Sequence, residues 1–273
     1  LVTGAGRGFC AGADLTARDM KSTAIDLGSG LETWYNPLVK RMAAQSRSPA
    51  QTLLTRWLVK RVTGHPLPYR SLALRDATTS VDFEARRLGN LAAAGMHVPR
   101  IVHVADGWFV MEYCGPDVAA LLESWDRDTW RRELIQIARD LGAFHAAGQW
   151  HGGAQIKNVT LQDGVFSRID FEETFGELVH LSVAQAVDLV VFLNSVSLAG
   201  PIDEAEARSL LPVLLQNYMA VNWRYARDVL DIVDRALPLL ARLTRLAKPL
   251  RRYSRKSLRR AEILVDVLRD FPR

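Results

Sequence analysis

Apolar and polar residues form two short strand-like runs within residues 148–173, one on each side of an Asp163-Gly164 pair. Two strands joined by such a two-residue turn make a β-hairpin. The second run is predicted to continue to residue 172. Asn158, where the first strand begins, and Asp170, near the end of the second, are therefore expected to lie at the same end of the hairpin. An amide oxygen and a carboxylate placed there suit Mg²⁺, which takes few protein ligands and keeps several waters.

The longer elements are predicted from apolar residues at helical spacing. The predicted helices cover residues 81–94, 130–147 and 183–198, with two or three more between 201 and 240. The predicted strands outside the hairpin cover residues 69–74, 97–104 and 107–114. The segment 183–198 is the longest apolar run, but Gln185, Asp188 and Asn194 interrupt it. We therefore expect a buried helix there and not a membrane span.

The composition is that of a soluble globular protein, because 48% of the 273 residues are hydrophobic, 24% are charged and the net charge is +5. The length fits one large domain or two small ones. Cys10 and Cys114 are far apart in the chain, so we expect no disulfide framework and a reducing cytoplasmic location. The six histidines do not have the spacing of a zinc site. The first residues lack the basic region of a secretory signal, so none is expected.

A change in composition divides the chain. The polar stretch QSRSPAQ places a boundary near residues 46–51, which gives a first segment at 1–45, a linker at 46–68 and a main domain at 69–273. The end of that domain, residues 238–273, carries eleven Lys and Arg against three acidic residues, a balance of +8. This basic tail predicts contact with an anionic membrane surface, with a solvated surface helix as the alternative. Nucleic acid is not expected, because no platform of aromatic residues accompanies the charge.

The loop from His151 to Asn158, followed by Asp170-Phe171, resembles the catalytic loop and metal-binding motif of the protein-kinase-like superfamily. That superfamily includes bacterial lipopolysaccharide (Kdo/heptose) kinases and other small-molecule kinases. The resemblance covers about residues 69–198. It implies a two-lobed α+β fold with a shortened amino-terminal lobe and a mostly helical carboxy-terminal lobe. It also implies that Asn158 and Asp170 hold Mg²⁺ together with ATP.

The same resemblance assigns residues to the nucleotide. Glu84 matches the helix glutamate of the family, with a solvated surface carboxylate as the alternative. The hinge that would face adenine matches residues 111–114, including Glu112, Tyr113 and Cys114. The lysine expected on a strand is absent, and Arg75 is the nearest basic substitute, although an arginine fork differs from a lysine point charge. A glycine-rich nucleotide loop is also absent, so the expected ATP site depends mainly on the second lobe.

Within the loop, His151 matches a structural position that bonds backbone near the metal motif. Asp188, in the apolar run, matches a helix carboxylate that accepts backbone N–H groups from this loop, which would satisfy a charge that is costly to bury alone. Lys157 is a candidate for neutralising a phosphate, with a solvated lysine as the alternative. The chain departs from the family where the catalytic aspartate should stand, since that residue is Gly153. Gln155 is the candidate that would orient an acceptor hydroxyl instead.

The first segment carries a second resemblance. TGAGRGFCAGADL, with LETWYNPLVKRM further on, is similar to the enoyl-CoA hydratase (crotonase) family. In that family a backbone amide, here that of Ala13, contributes to an oxyanion hole for a CoA thioester. The resemblance covers only about the first 45 residues and lacks the second donor and the acid/base carboxylates. The segment is therefore interpreted as a crotonase fragment.

These observations lead to three hypotheses. The first is a kinase-like phosphotransferase, degenerate at Gly153, that transfers phosphate from ATP to a hydroxyl of a small molecule or a lipopolysaccharide-type sugar. The second is a catalytically inactive pseudokinase or binding module, cytoplasmic and peripheral at the inner membrane. The third is a remnant of an acyl-CoA enzyme. The acceptor of the first cannot be deduced, because its specificity depends on the shape of a pocket.

Overall fold

The computed structural model describes residues 49–64, 67, 77–105, 108–247 and 255–272. The helices are α1 (Pro49–Thr63), α2 (Ala77–Ala93), the one-turn α3 (Val118–Leu121), α4 (Arg127–Ala146), α5 (Leu181–Val196), α6 (Glu204–Val221), α7 (Ala226–Leu246) and α8 (Arg255–Asp270). The strands are β1 (Ile101–Ala105), β2 (Trp108–Met111), β3 (Val159–Gln162) and β4 (Val165–Arg168). The segment 1–45, with Ala13, the predicted strand 69–74 and Arg75 lie outside the described residues.

The described residues form a mixed α and β structure that is mostly helical, with two small antiparallel sheets. The main core lies between α4, α5 and α6, and it also includes apolar side chains of α7 and α8. Helix α4 begins at Arg127, three residues before the prediction, because the Asp126 carboxylate accepts the Thr129 N–H at 2.8 Å and caps the helix. Its buried face includes Leu134, Ile137 and Leu141, as the apolar spacing indicated.

Helices α4 and α6 approach each other closely at Gly142. A Cβ atom added there would lie 2.6 Å from the backbone oxygen of Tyr218. A side chain of any size would therefore have to push the two helices apart. The close approach lets the Tyr218 hydroxyl reach into the interior beside His145 of α4.

The predicted hairpin is present as β3 and β4, which pair in antiparallel register from Val159 opposite Arg168 to Gln162 opposite Val165. The turn residues Asp163 and Gly164 have φ of 51° and 79°, which are the positive values that the tight hairpin turn requires. The second strand ends at Arg168, so the prediction that it continues to residue 172 was wrong. The physical reason is Asp170, whose φ of 70° takes the backbone out of extended geometry.

Helix α2 begins at Ala77, four residues before the prediction. Its buried Leu88 and Leu91 pack with Phe144 of α4 and with Phe171, which follows Asp170. This second, smaller core connects α2 to the hairpin and to the end of α4. It therefore places Glu84, one turn before Leu88, close to the predicted metal-binding residues.

The apolar run is confirmed as a buried helix, α5, whose interior residues include Gln185 and Asp188. Among the described helices, none has the length and hydropathy needed to cross a bilayer.

The basic tail contributes α8, whose apolar side chains, among them Ile263 and Leu268, are buried. Several of its charges are already paired within the molecule. Arg259 contacts Glu204 of α6 at 2.6 Å, and Asp266 contacts Arg208 of α6 at 3.0 Å. Exposed ion pairs of this kind add little to stability. One pair brings an acidic residue of α6 to α8 and the other brings a basic one, so together they leave the net charge of this region unchanged. Contact of the basic tail with an anionic membrane stays a prediction.

Candidate functional site

Asp188 holds the start of the His151 loop. Its side chain is completely buried in α5. One carboxylate oxygen accepts the His151 N–H at 2.5 Å and the other accepts the Gly152 N–H at 2.7 Å. Burial alone would raise the pKa of Asp188, but the neighbouring His145 and His151 and these hydrogen bonds hold it below its usual value. The bonds expected from the resemblance are therefore present, and the loop is fixed to the core by a buried anion.

His151 links that loop to the far strand of the hairpin. Its Nε2–H donates to the Ile169 carbonyl at 2.9 Å, and its Nδ1 accepts the Gly153 N–H at 3.1 Å. The ring stacks on Phe171, with 4.3 Å between the ring centres. Burial lowers the pKa of His151 to about 4, so the imidazole is neutral near pH 7 and both nitrogens are satisfied. The described contacts give this residue a structural role.

Asn158 and Asp170 are brought to the same end of the hairpin. The Ile169 N–H donates to the Asn158 backbone oxygen at 3.0 Å, so Asp170 is next to the residue that pairs with Asn158. The Asn158 side chain is buried, and its Nδ2 donates to the Gly153 oxygen at 2.9 Å. Asp170 is half-buried, and its left-handed backbone conformation is uncommon for a residue other than glycine. Strain of this kind concentrates at functional sites.

Glu84 reaches the site from α2. Its Oε1 accepts the Phe171 N–H at 3.0 Å, directly beside Asp170 in the chain. Burial, followed by repulsion from Asp170, raises the pKa of Glu84 from 4.5 to about 7. The pKa of Glu172 is raised too, by burial and by the charge of Asp170, while Lys157 opposes that rise. The site thus has an excess of negative charge that a cation would relieve.

Gly153, where the family resemblance expects an aspartate, has space around it. A Cβ atom on Gly153 would lie 3.7 Å from Asn158 Nδ2 and 3.9 Å from His151 Nδ1, which are ordinary contact distances. Gly153 does not have a positive φ. The backbone therefore permits a side chain here, and that side chain would start beside Asn158.

The other predicted loop residues flank this position. Gln155 is half-buried, and its N–H donates to the Gly153 oxygen at 2.7 Å just before the short turn at 156–158. Lys157 is exposed. No contact places the side chain of either residue on Asn158 or Asp170 among the described residues, so their assigned roles stay predictions.

The predicted hinge lies at the end of β2. Glu112 forms an exposed ion pair with Arg100 at 3.0 Å, and its N–H donates to the Arg100 oxygen. Tyr113 is 69% exposed, and Cys114 is half-buried. The Glu112 side chain is therefore engaged at the surface, which leaves backbone groups as the means by which this segment would contact adenine.

Sequence reasoning missed a buried polar network behind Asp188. His145 Nε2 lies 3.4 Å from Asp188 Oδ2, and its Nδ1 lies 2.7 Å from the Tyr218 hydroxyl. That hydroxyl also accepts from Asn222 Nδ2 at 2.7 Å. Burial lowers the pKa of His145, so the ring is neutral near pH 7. Its Nδ1 contacts the tyrosine hydroxyl, while its Nε2 faces the carboxylate without the geometry of a hydrogen bond. A histidine on the apolar face of a helix was the one signal that could have indicated this network.

Two arginines were also missed. Arg168 is 2% exposed and pairs with Asp140 of α4 at 2.5 Å, which ties β4 to that helix. Arg87 of α2 donates to the Trp150 backbone oxygen at 2.5 Å. Both contacts join residues far apart in the chain, and no spacing pattern predicts them.

Asn158 and Asp170 provide only two protein ligands for a metal. Within the described ranges, no group of three or more His, Cys, Asp or Glu residues could hold a metal ion. Cavities of about 120 Å³ beside Arg86 and about 500 Å³ between α4 and the hairpin turn are lined by other residues. Neither cavity is lined by Asn158 or Asp170, and the two-lobed arrangement expected from the resemblance stays a prediction.

Comparison with known proteins identifies only the beginning of the chain. No protein-family model matches the sequence. The amino-terminal region is similar to 1,2-epoxyphenylacetyl-CoA isomerase of Escherichia coli (strain K12), with 60% identity over 45 residues. The match covers 16% of this chain and 17% of the isomerase, so the chain spans about a sixth of that relative's length. The crotonase resemblance of the first segment is therefore confirmed, and the kinase-like resemblance gains no support from these comparisons.

Proposed function

We propose that the described residues belong to a kinase-like phosphotransferase, which transfers phosphate from ATP to a hydroxyl of a small molecule or a lipopolysaccharide-type sugar. The observation that carries this proposal is the adjacency of Asn158 and Asp170 at one end of the hairpin, fixed by the 3.0 Å bond between the Ile169 N–H and the Asn158 oxygen. The buried contacts of His151 and Asp188 support it, because they hold the loop that carries Asn158 in one position.

The donor atoms fit magnesium. An amide oxygen from Asn158 and a carboxylate from Asp170 are hard oxygen ligands, and two of them leave room for waters and nucleotide phosphates. When bound, the ion would neutralise charge on the phosphates, which is most of what phosphoryl transfer requires. Glu84 would keep the backbone beside Asp170 in place through its bond to the Phe171 N–H. His151 would hold the loop at a fixed distance from the segment after β4 through its hydrogen bonds, and it would not exchange a proton.

A second candidate, a nucleotide-binding module without phosphotransfer, is favoured by Gly153. In the family pattern the side chain at this position orients the acceptor hydroxyl and accepts its proton. Glycine can do neither. An added Cβ atom would have ordinary contact distances there, so the backbone itself does not require glycine.

Calorimetric titration of the full chain with ATP, in the presence and absence of magnesium chloride, tests nucleotide use. We expect binding only with magnesium, weakened at least about tenfold by Asp170→Asn, a loss of roughly 1.4 kcal/mol. The matched control is Asp163→Asn, because Asp163 is an exposed aspartate of the same hairpin that also has a positive φ. Asparagine tolerates that conformation at both positions. Absence of magnesium-dependent binding in the unmodified chain would refute both candidates.

Gly153→Asp separates the two candidates. Because the acceptor is unidentified, the measurement is release of phosphate from ATP to water, alongside the binding titration. Turnover by the unmodified chain supports the phosphotransferase. Binding without turnover, with turnover appearing in Gly153→Asp, supports the nucleotide-binding module.

A remnant of an acyl-CoA enzyme is favoured only by the 45-residue match at the amino terminus. That segment matches a small part of the isomerase. The resemblance also lacks the second oxyanion donor and the acid/base carboxylates that the crotonase family uses. We expect no thermal stabilisation of the full chain by a CoA thioester, and a clear shift would favour this third function.

A further inference from the structure

Arg87 contacts both ends of the metal-binding region from a single position on α2. It lies three residues after Glu84, so the two side chains share one face of the helix. Its Nη2 donates to the Trp150 backbone oxygen at 2.5 Å, directly before His151. Its guanidinium carbon is 3.8 Å from the centre of the Trp150 ring and 5.8 Å from that of Phe171.

Trp150 has little freedom to move. The residue is 7% exposed, and Gly176 lies so close that an added Cβ atom would be 2.3 Å from the indole. The Arg87 guanidinium covers the same ring system. Because the indole is confined, the guanidinium that stacks on it is also held in a defined position. The Arg87 side chain therefore fixes the position of α2 relative to Trp150.

The cationic contact is of a kind that lysine would not reproduce. A guanidinium can stack on an indole face and donate a hydrogen bond in its own plane at the same time. Arg87 Nε is buried and has no hydrogen-bond partner among the described residues. The side chain is thus positioned by the stacking and by the single bond to Trp150.

We propose that Arg87 is a positioning residue, which docks α2 onto the His151 loop and so keeps Glu84 against the backbone beside Asp170. The inference rests on the proposed magnesium–nucleotide site. It assigns the docking of α2 to an arginine on the helix itself, in a chain that lacks the strand lysine expected from the resemblance. Glu84 and Arg87 then make two separate attachments, one to the residue after Asp170 and one to the residue before His151.

The test compares Arg87→Ala and Arg87→Lys with Arg86→Ala in the full chain. Arg86 is exposed and adjacent on the same helix, so its replacement removes the same charge at similar helix propensity. Three quantities are measured: ATP affinity with magnesium, amide hydrogen exchange at residues 150–153 and 171, and the midpoint of urea unfolding.

We expect Arg87→Ala to weaken ATP binding about tenfold, as the loss of a charge-assisted bond and a stacked cation implies. Exchange at residues 150–153 and 171 should accelerate more than exchange in α6, which a purely structural loss would not produce. Arg87→Lys should recover only part of both effects, and Arg86→Ala should resemble the unmodified chain.

Equal behaviour of Arg87→Ala and Arg86→Ala in affinity and local exchange would overturn the inference. If the unmodified chain binds no ATP, the proposed function fails, and hydrogen exchange alone then decides whether Arg87 docks α2. If Arg87→Ala does not fold, Arg87→Lys decides the question, because it keeps the charge and loses only the stacked fork.

Discussion

Replacing Glu84 with glutamine should make the protein more stable at alkaline pH and leave it nearly unchanged in acid. Glu84 accepts the Phe171 N–H at 3.0 Å, and a glutamine oxygen can accept the same bond. What the substitution removes is a charge that burial and Asp170 disfavour, since they raise the pKa of Glu84 to about 7. The effect of glutamine therefore depends on whether the carboxylate would have been ionised.

The magnitude follows from the two pKa values. Between the ordinary value of 4.5 and the folded value of about 7, the folded protein keeps a proton that the unfolded chain has released. Stability is thus lost as the pH rises through this window, and the full loss is roughly 3 kcal/mol. Most of that loss, about 2 to 3 kcal/mol, falls between about pH 5 and about pH 8.5.

The assay is urea unfolding followed by circular dichroism at these two pH values. We expect the difference in unfolding free energy between Glu84→Gln and the unmodified chain to grow by about 2 to 3 kcal/mol from the acidic to the alkaline condition. The control is Asp82→Asn, which removes an exposed carboxylate from the same helix and should show no such growth. A difference that is the same at both pH values would refute the account of Glu84. Magnesium with ATP should reduce the advantage of glutamine, because a cation at Asp170 would favour an ionised Glu84.

Two further predictions concern packing and acid stability. Gly142→Ala should lower the free energy of unfolding by about 1–3 kcal/mol, because its Cβ atom would meet the Tyr218 backbone. The control is Gly89→Ala, also in a helix, which has nothing within 4 Å of the added Cβ atom and should raise the free energy of unfolding by about 0.5–1 kcal/mol. Equal effects of the two variants in urea unfolding would contradict this interpretation. Acidification from pH 6.5 towards 4 should destabilise the protein by up to roughly 3 kcal/mol through His151. In this range His151 binds a proton in the unfolded chain, whereas the buried ring of the folded protein, with a pKa of about 4, stays neutral. The measurement uses the Glu84→Gln variant, because ionisation of Glu84 changes stability with pH in the opposite direction. An unfolding free energy of this variant that does not fall between pH 6.5 and 4 would contradict the role of His151.

Local chemistry made the hairpin predictable, and the family resemblance supplied the Asp188 contact. The Asp163-Gly164 turn is specified by residues that accept a positive φ, and the flanking runs supply the strands. A carboxylate such as Asp188 within an apolar helix needs hydrogen-bond donors. The resemblance assigned those donors to the His151 loop, although the loop lies 37 residues away in the chain.

Contacts between distant segments that no motif indicates could not be predicted. The His145–Tyr218 bond joins residues 73 positions apart, and the Arg87–Trp150 bond joins residues 63 apart. The end of β4 was misjudged for a different reason. Asp170 has a positive φ, which the residue type alone does not predict. The strand predicted from the sequence pattern therefore extended past Arg168, where the observed strand ends. Sequence thus predicted that Asn158 and Asp170 lie at one end of the hairpin, while the contacts that position the two residues were not predicted.

The open space at Gly153 has a consequence for how this chain could change over time. Codons for glycine and aspartate differ by one base when the third base is a pyrimidine, so a carboxylate beside Asn158 is accessible by a single mutation from such a codon. A Cβ atom at this position would have ordinary contact distances, and the backbone there has no positive φ, so the fold does not require glycine at residue 153. Whether glycine persists at residue 153 would then depend on selection for nucleotide binding alone or for phosphoryl transfer.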